Sequence, residues 1–397
     1  MTTAKTLAHI TVIDLTQNVA GAYCSKLMAG FGAEVIKVEP PRTGDAMRTV
    51  GPFCDGREGL ERSIPFLWLN TGKKSITLDI NSSKGLDLLA ELMKKADVVM
   101  ESLPLGKLQE LGLEYEVVHE LNPGLVMTSI TNFGRSGPYR DFEAEEMQIQ
   151  AMSGMMHMTG EASMKPLAAG PAVCHYLAGM HAYTATLMAL FQKSGQGKGQ
   201  HVDVSVQECG MENVEIALTQ CLQEDKNPKR GPHLGVPWST YTCADGYGVV
   251  ISMPARKWHK AAEIFDDPFL FQEKYRHIIG RIADRKSYEE VLEKEVKKFK
   301  KKELFLAGQK KGLAFGMVST LAEALELEQH SERGFFEEID HPDAGRRTYC
   351  SAPFKMSETP WTSARAPLLG EHNSMIYGER LGCTPAELNA MKSRGII

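Results

Sequence analysis

An alternation of short apolar segments with amphipathic segments over residues 9–131 constrains the fold more than any other feature of the sequence. The apolar segments predict β-strands at 9–16, 33–39, 75–80, 97–102 and 125–131. The segments between them predict helices at 20–32 and 82–96. Strands that alternate with helices build a parallel sheet covered by helices on both faces. The sequence therefore predicts an α/β fold with a sheet of at least five strands.

The second half of the chain predicts a smaller lobe with a different pattern. Residues 207–228, after a further strand at 201–206, predict a linker helix. Residues 238–252 are strongly β-like, and their Asp245-Gly246 pair is typical of a hairpin turn. Because a charge-dense helix at 287–305 follows them, we expect this lobe to be of the α+β class.

The last part of the chain is predicted to return to the first lobe. Four prolines in 340–370 are typical of an extended linker, and 384–394 predicts a closing helix. The expected organisation is a large α/β domain at 1–206 completed by 340–397, a linker helix at 207–228, a small domain at 229–330, and a return linker with the C-terminal part of the large domain at 331–397.

Composition and charge exclude several classes of protein. Hydrophobic residues make up 43% of the 397 residues and charged residues 24%, as in ordinary globular proteins. A net charge of -5 gives no overall attraction to nucleic acid. No apolar run reaches the roughly 18 residues of a membrane span, and the N-terminus does not resemble a signal peptide. We therefore expect a cytoplasmic protein with neither nucleic acid nor membrane as a partner.

Common cofactor and metal motifs do not occur in the sequence. Neither G-x-G-x-x-G nor G-x-x-x-x-G-K-[ST] is present, which disfavours a standard nicotinamide or ATP enzyme. The eight cysteines include no C-x-x-C pair, and the histidines include no H-E-x-x-H. The sequence predicts no metal site and no tightly bound cofactor.

Several phrases of the sequence resemble one family over nearly the whole chain. They include VIDLTQNVAGAYCSKLMAGFGAEVIKVEPPRTGDAMR, NFGRSGPYRD, GQGKGQHVDVSVQE and APLLGEHN. They are similar to the family III CoA-transferases, a group with formyl-CoA transferase, carnitine CoA-transferase and alpha-methylacyl-CoA racemase. The resemblance implies an open, Rossmann-like parallel-sheet lobe, a smaller inserted lobe and an interlocked, ring-like dimer. It also implies coenzyme A and acyl-CoA as substrates, together with a carboxylic acid.

The resemblance implies a nucleophilic aspartate at a position that holds His175 in this chain. Transferases of the family attack the donor thioester with that carboxylate, form a mixed anhydride, and then carry CoA as an enzyme-bound thioester. An imidazole can accept an acyl group but cannot form the enzyme-CoA thioester. The family mechanism is therefore not open to His175.

Two glutamates stand where the family places other catalytic groups. Racemases of the family use a histidine after a G-P-Y motif, and Glu145 falls at that position after Gly137-Pro138-Tyr139. Glu146 matches an acidic position common in the transferases. A Glu145/His175 acid/base couple is chemically possible, since α-proton transfer needs two opposed groups. An acidic pair at the start of a helix is also a common stabilising feature.

The resemblance also locates a groove for CoA, and several of its cations are replaced. Asn81, Pro104 and Glu110 stand at positions that are basic in the transferases. Because charge-assisted contacts normally hold the phosphates, we expect weaker CoA binding unless other cations compensate. Candidates for compensation are Arg42, Arg48, Lys73, Lys74 and Lys107. The residues that correspond to the groove are Asn18, Val19, Ala20, Leu78, Asp79, Ile80, Asn81, Ser102 and Leu103.

Three functions agree with these features of the sequence. The favoured one is a catalytically silent subunit of a CoA-transferase, similar to the succinyl-CoA:benzylsuccinate type, whose homologous partner carries the aspartate. The alternatives are an epimerase of 2-substituted acyl-CoA, and an active CoA-transferase with a displaced carboxylate. A homodimer of this chain is the alternative to a heteromer.

Overall fold

The computed structural model describes residues 5–231, 235–251 and 253–397. These residues form two compact units. The larger unit contains described residues up to 159 together with 166–228 and 332–397, and the smaller one contains described residues of 160–165 and 229–331.

Six parallel strands form the central sheet of the larger unit, in the order β3-β2-β1-β4-β5-β6. Every strand that the sequence predicts before residue 207 is present, so the predicted α/β fold is confirmed. Val12 in the centre lies opposite Val35 on one side and Val98 on the other, because strands buried on both faces favour β-branched residues. The strands are β1 Thr11–Leu15, β2 Glu34–Glu39, β3 Lys74–Thr77, β4 Val98–Glu101, β5 Val126–Thr131 and β6 His201–Ser205.

Helices and short helical turns cover both faces of this sheet. The helices up to residue 228 are α1 Val19–Gly30, α2 Ile64–Leu69, α3 Ser83–Lys94, α4 Lys107–Glu110, α5 Tyr115–Leu121, α6 Glu146–Met152, α7 Met155–Met158, α8 Val173–Gln196, α9 Val206–Glu212 and α10 Glu215–Glu224. Short 3-10 turns occur at Ala46–Thr49 and Cys54–Gly56. The linker helix predicted at 207–228 is therefore wrong as a single helix, since α9 and α10 are separated at Asn213 and Val214.

The smaller unit contains a three-stranded antiparallel sheet and several helices. The predicted hairpin is confirmed for the described residues, with Asp245 between its strands, whereas Ser252 lies outside them. The charged segment 287–305 divides between two helices. The elements are β7 Trp238–Cys243, β8 Gly246–Ile251, α11 Trp258–Ala262, 3-10 turns Pro268–Phe271 and Glu273–Tyr275, α12 Ile278–Ala283, α13 Arg285–Val296, α14 Lys301–Lys310, β9 Phe315–Met317 and α15 Leu321–Leu325.

The return segment is more regular than its prolines suggest. After α16 (Glu328–Glu332), strands β10 (Phe336–His341) and β11 (Gly345–Cys350) pair as an antiparallel hairpin. The expectation of an extended linker from residue 340 is wrong for this part, because Pro342 occupies the turn and leaves both strands free to pair. A π-helical segment Ser374–Arg380 and the closing helix α17 Pro385–Ser393 end the chain.

Small residues let α8 pack closely against α1. A Cβ on Gly179 of α8 would lie only 2.7 Å from the carbonyl oxygen of Ala20 on α1. The rings of Tyr23 and Tyr176 meet edge to face, with their centroids 4.9 Å apart. The first two turns of α1 therefore pack against the first two turns of α8, and His175 and Val19 line the same cleft after β1.

A buried cluster of charges fixes that turn. One oxygen of the fully buried Asp14 accepts hydrogen bonds from the backbone and side chain of Thr16, at 2.9 and 2.6 Å. The other accepts from Ser25 at 2.6 Å and from Lys73 at 3.1 Å. Burial alone would raise the pKa of Asp14, but Lys73 and Lys37 hold it well below its usual value. The carboxylate is therefore ionised and ties β1, α1 and the segment before β3 together.

We predict that Asp14→Asn destabilises the fold by about 3–5 kcal/mol, because removing one partner leaves the Lys73 charge buried and unpaired. Urea unfolding at neutral pH measures this difference. The native state favours the ionised carboxyl, so its stabilisation is present above the unfolded pKa of about 3.9 and is lost as the pH falls. The two proteins should therefore converge in stability in acid.

The matched control is Glu91→Gln, which removes a carboxylate from the exposed Glu91–Lys94 pair. We expect no measurable change there, since exposed pairs contribute little. Equal effects of the two substitutions would contradict the structural role of Asp14.

Candidate active site

A cleft of about 720 Å³ opens at the carboxyl ends of the central strands. It lies where the sheet order passes from β1 to β4, the switch point at which open α/β sheets bind ligands. Its lining comes from the ends of β1, β4 and β5, from the segment before α6 and from the start of α8. The residues are Gln17, Asn18, Val19, Met47, Ser102, Leu103, Pro104, Leu105, Ile130, Thr131, Asn132, Arg140, Asp141, Phe142, Glu143, Ala144, Glu145, Glu146, Ala172 and His175.

His175 and Glu146 form a titratable pair in direct hydrogen-bond contact on the wall of the cleft. The Nδ1 atom of His175 lies 2.6 Å from Oε2 of Glu146. Their side chains are 13% and 19% exposed, so both are largely shielded but reachable from the cleft. An ionised carboxylate only accepts hydrogen bonds, so Nδ1 carries the proton and Nε2 is left for a ligand or water.

Four donors surround the Glu146 carboxylate. Oε1 accepts from the backbone of Cys174 at 2.9 Å and from the side chain of Gln150 at 2.7 Å. Oε2 accepts from the backbone of His175 at 3.3 Å as well as from its ring. Burial would raise the pKa of Glu146, but these donors, His175 foremost, hold it below its usual value. Glu146 is therefore a fixed anion at the start of α8.

The backbone ahead of His175 is held in an uncommon conformation. Ala172 precedes α8 with a φ of 62°, in the left-handed region that a residue with a Cβ seldom adopts. Such strain of about 1–3 kcal/mol persists only where the surrounding contacts demand it. The hydrogen bonds that Glu146 accepts from Cys174 and His175 hold the backbone in this conformation. The strained turn therefore positions the first turn of α8 beside the cleft.

A second buried carboxylate shapes the opposite wall. The carboxylate of Glu101, at the end of β4, accepts two hydrogen bonds. One comes from the backbone N–H of Leu103 at 2.8 Å and the other from the side chain of Arg135 at 3.2 Å. Burial raises the pKa of Glu101. The backbone of Gln17 also donates to the side chain of Ser102 at 3.0 Å. The walls that follow β1 and β4 are thereby joined.

The structure brings seven of the predicted site residues to this cleft and leaves others outside it. Ala20 is buried in the core, and Leu78 and Ile80 line a small neighbouring cavity of about 40 Å³. Asp79 and Asn81 form the turn before α3, where the backbone of Asn81 donates to Asp79 at 3.1 Å. The residues in the cleft are Asn18, Val19, Ser102, Leu103, Glu145, Glu146 and His175.

Glu145 lies in the cleft without the contact that the acid/base couple requires. It is exposed, and its backbone N–H donates to the side chain of Gln148 at 3.2 Å, at the start of α6. The carboxylate that binds His175 belongs to its neighbour Glu146. Adjacent residues at a helix start point in different directions, which a sequence position alone does not reveal.

Four of the five cations considered as replacements are paired with carboxylates of the chain itself. Arg48 is fully buried against Glu39 at 2.6 Å, and Lys73 binds Asp14. Lys74 pairs with Glu34 at 2.5 Å, and Lys107 pairs with Glu110 at 3.3 Å. Buried ion pairs cannot release a partner without leaving a charge unpaired. Arg48 and Lys73 therefore serve the fold and are not free to bind a ligand.

The charged side chains of the cleft are mostly acidic. Four further residues line the cleft but were not predicted from the sequence: Gln17, Arg140, Asp141 and Glu143. Arg140 and Asp141 form an ion pair at 3.3 Å. Gln17 could have been found, since it directly follows a strand whose carboxyl end faces the switch point. Four carboxylates and one guanidinium give this surface a negative potential. The carboxylates belong to Asp141, Glu143, Glu145 and Glu146.

Within residues 5–231, 235–251 and 253–397, no group of three or more histidine, cysteine, aspartate or glutamate side chains is arranged to hold a metal ion. In the same ranges, no helix combines the length and apolar character needed to cross a membrane.

Comparisons with known proteins agree on one family. The family model described as "CoA-transferase family III" matches residues 7–373. The chain is 30% identical to succinate–glutarate CoA-transferase of Agrobacterium fabrum, over 94% of this chain and 95% of that protein. It is 31% identical to succinyl-CoA:(R)-benzylsuccinate CoA-transferase subunit BbsE of Thauera aromatica, over 93% and 92%. A CAIB/BAIF family protein from Brucella suis superposes with a TM-score of 0.85 at 30% identity, over 94% and 99%.

We predict that Glu146→Gln destabilises the protein by about 1.5–3 kcal/mol, the range for hydrogen bonds to a charged group. The amide cannot accept from all four donors, and its NH2 group would face some of them. Urea unfolding measures the loss, and nitrogen-15 NMR of the imidazole reports whether His175 keeps its proton on Nδ1.

Helix α8 offers a matched control for this substitution. Glu212→Gln removes the carboxylate from an exposed pair with His181, whose atoms lie 3.3 Å apart. We expect unchanged stability for that variant. An unaltered His175 tautomer in Glu146→Gln would contradict the assignment of Glu146 as the group that orients the ring.

Proposed function

The chain belongs to CoA-transferase family III, and from that premise we propose that it is the catalytically silent subunit of a CoA-transferase. The transferase moves CoA between an acyl-CoA such as succinyl-CoA and a carboxylic acid, and a homologous subunit supplies the nucleophilic aspartate. The observation that carries the proposal is the His175–Glu146 contact at 2.6 Å, taken with the sequence resemblance, which implies that His175 stands where the family has its aspartate. An imidazole cannot hold CoA as a thioester.

A displaced nucleophile is disfavoured by the contacts of Glu146. Its two oxygens accept four hydrogen bonds, which stabilise the anion and occupy the lone pairs that would attack a thioester. Glu145 is exposed at the start of α6, where it forms a capping box with Gln148. An exposed carboxylate is fully hydrated, and hydration lowers its nucleophilicity.

The epimerase alternative needs two groups on opposite sides of an α-carbon. Glu146 contacts the His175 ring directly, so these two groups act from the same side. Glu145 would have to supply the second group, and no contact in the described chain directs it there. The subunit function is therefore the better supported of the two.

We further propose that the partner is a homologous chain, with a second copy of this chain as the alternative, and that the two subunits interlock. Support comes from the relative that is itself named as a subunit. Helix α8 also exposes Met180, Met188 and Phe191, the last at 81%. Large exposed apolar side chains on one element are typical of a subunit interface. The cytoplasmic location and the absence of a tightly bound cofactor stay predictions.

The charge of the cleft supports weak binding of CoA by this chain alone. CoA carries a diphosphate and a 3′-phosphate, whereas the cleft presents four carboxylates and Arg140. Like charges within a few ångströms disfavour association. A silent subunit has no need to hold the CoA phosphates, which agrees with the loss of basic residues at Asn81, Pro104 and Glu110.

We predict that CoA binds this chain no more tightly than pantetheine, which lacks the phosphates. Isothermal titration calorimetry measures the affinity for each ligand. A higher salt concentration should not weaken CoA binding, because salt screens the repulsion between the CoA phosphates and the carboxylates of the cleft. Glu143→Gln should improve the affinity for CoA but not that for pantetheine. Tight CoA binding that salt weakens would contradict the prediction.

The silent-subunit proposal predicts where a covalent intermediate forms. Incubated with succinyl-CoA, this chain alone should give no hydroxylamine-sensitive CoA adduct by intact-protein mass spectrometry. A homologous chain with aspartate at the position of His175 should co-purify with it and carry the adduct. His175→Asp should recover little transfer, because the CoA phosphates remain unsupported.

One result would overturn the silent-subunit proposal, and a second would contradict the expected weakness of the CoA groove. An adduct mapped to Glu145 or Glu146 would establish a displaced nucleophile. Robust transfer by His175→Asp alone would show that the groove is intact and that only the nucleophile was lost.

A further inference from the structure

The contacts of His175 leave one ring nitrogen unused. Nδ1 is bound to Glu146 at 2.6 Å, and no group in the described chain is hydrogen-bonded to Nε2. His175 lines the 720 Å³ cleft, so Nε2 is the atom of the His175–Glu146 pair that is available to a molecule bound in the cleft. A neutral imidazole whose Nδ1–H is held by a carboxylate has its Nε2 lone pair set to accept a proton, and the carboxylate stabilises the imidazolium that results.

The neighbouring helix end can stabilise negative charge in the same cleft. Asn18 caps α1. Its side-chain oxygen accepts a hydrogen bond from the N–H of Gly21 at 2.8 Å, and its backbone carbonyl accepts one from the N–H of Ala22 at 3.1 Å. Val19 and Ala20 come before Gly21 in the chain, and their N–H groups lie at the positive, N-terminal end of α1. Val19 lines the cleft with His175, and the first two turns of α1 and α8 are in contact through Tyr23 and Tyr176.

We propose that the His175–Glu146 pair is a general base that hydrolyses acyl thioesters in this cleft. This activity goes beyond the transferase function, since water replaces the carboxylic acid acceptor and the aspartate of the partner is not needed. Because the cleft is acidic, the substrate class is a thioester whose thiol portion is uncharged near the site, as in pantetheine.

The reaction is balanced by groups on the chain and by water. Nε2 of His175 takes a proton from water as the water oxygen bonds to the thioester carbonyl carbon. The carbonyl oxygen becomes negative and faces the start of α1. The carbon–sulfur bond then breaks, and the proton on Nε2 passes to the thiolate. The products are a carboxylic acid and a thiol, with no change of oxidation state.

The test uses the full chain alone and the uncharged thioester propionyl-N-acetylcysteamine. Hydrolysis is followed as the loss of the thioester ultraviolet absorbance. We expect turnover above the buffer rate that falls by about 10²–10⁴-fold in His175→Gln, the usual contribution of a positioned base. Glu146→Gln should also lower the rate, because the ring is no longer oriented.

A control and a rescue separate catalysis from folding. His181→Gln changes the exposed histidine of α8 that pairs with Glu212 outside the cleft, and it should hydrolyse as the unaltered chain does. Added imidazole should restore hydrolysis to His175→Ala above the rate of the same imidazole solution without protein, which a misfolded variant could not show. Circular dichroism verifies the fold of each protein.

Three outcomes would overturn the proposal: no hydrolysis above the buffer rate, equal rates in the unaltered chain and His175→Gln, or no rescue by imidazole. Deuterium uptake from D2O at the α-carbon without hydrolysis would also overturn it, since the base would then act on carbon. None of these results bears on the silent-subunit proposal, which depends on the CoA adduct and the partner.

Discussion

The ion pair between Asp14 and Lys73 is the interaction on which the site depends. Asp14 is buried at the end of the central strand, and its carboxylate holds Thr16 and Ser25 as well as the lysine. The turn that follows therefore has one conformation, from which Gln17, Asn18 and Val19 reach the cleft. A Cβ on Gly21 would lie 2.3 Å from the Thr16 side chain, so the same turn also requires a glycine at the start of α1.

The cleft joins two helix starts that are stabilised in opposite ways. Helix α1 is capped by the neutral side chain of Asn18, which accepts a hydrogen bond from the N–H of Gly21. The first turn of α8 is instead occupied by the Glu146 carboxylate, which binds the N–H groups of Cys174 and His175. A carboxylate nucleophile at position 175 would face Glu146 as a like charge. Histidine converts that repulsion into a hydrogen bond.

Under the proposed function, histidine at this position changes the chemistry while the scaffold of the family is kept. A CoA-transferase of this family needs a carboxylate that can carry both an acyl group and CoA, and His175 supplies only a base. The surrounding acidic residues disfavour a polyphosphate ligand, and the buried cations that might offset them are bound to Glu39 and Asp14. Both changes agree with a chain that completes an assembly while another subunit performs the transfer.

Hydrophobic periodicity in the sequence determined the parallel strands and the covering helices, because that signal is local and each strand carries it within a few residues. The resemblance that implies the family aspartate at the position of His175 was likewise readable from the sequence. Only the tertiary structure decided that Glu146, rather than Glu145, binds His175 across 29 residues. It also decided that Arg48 and Lys73 are buried, and that residues 336–350 pair as a hairpin. Ion pairs and strand pairing depend on which residues far apart in the sequence come into contact, and a local sequence pattern does not specify those contacts.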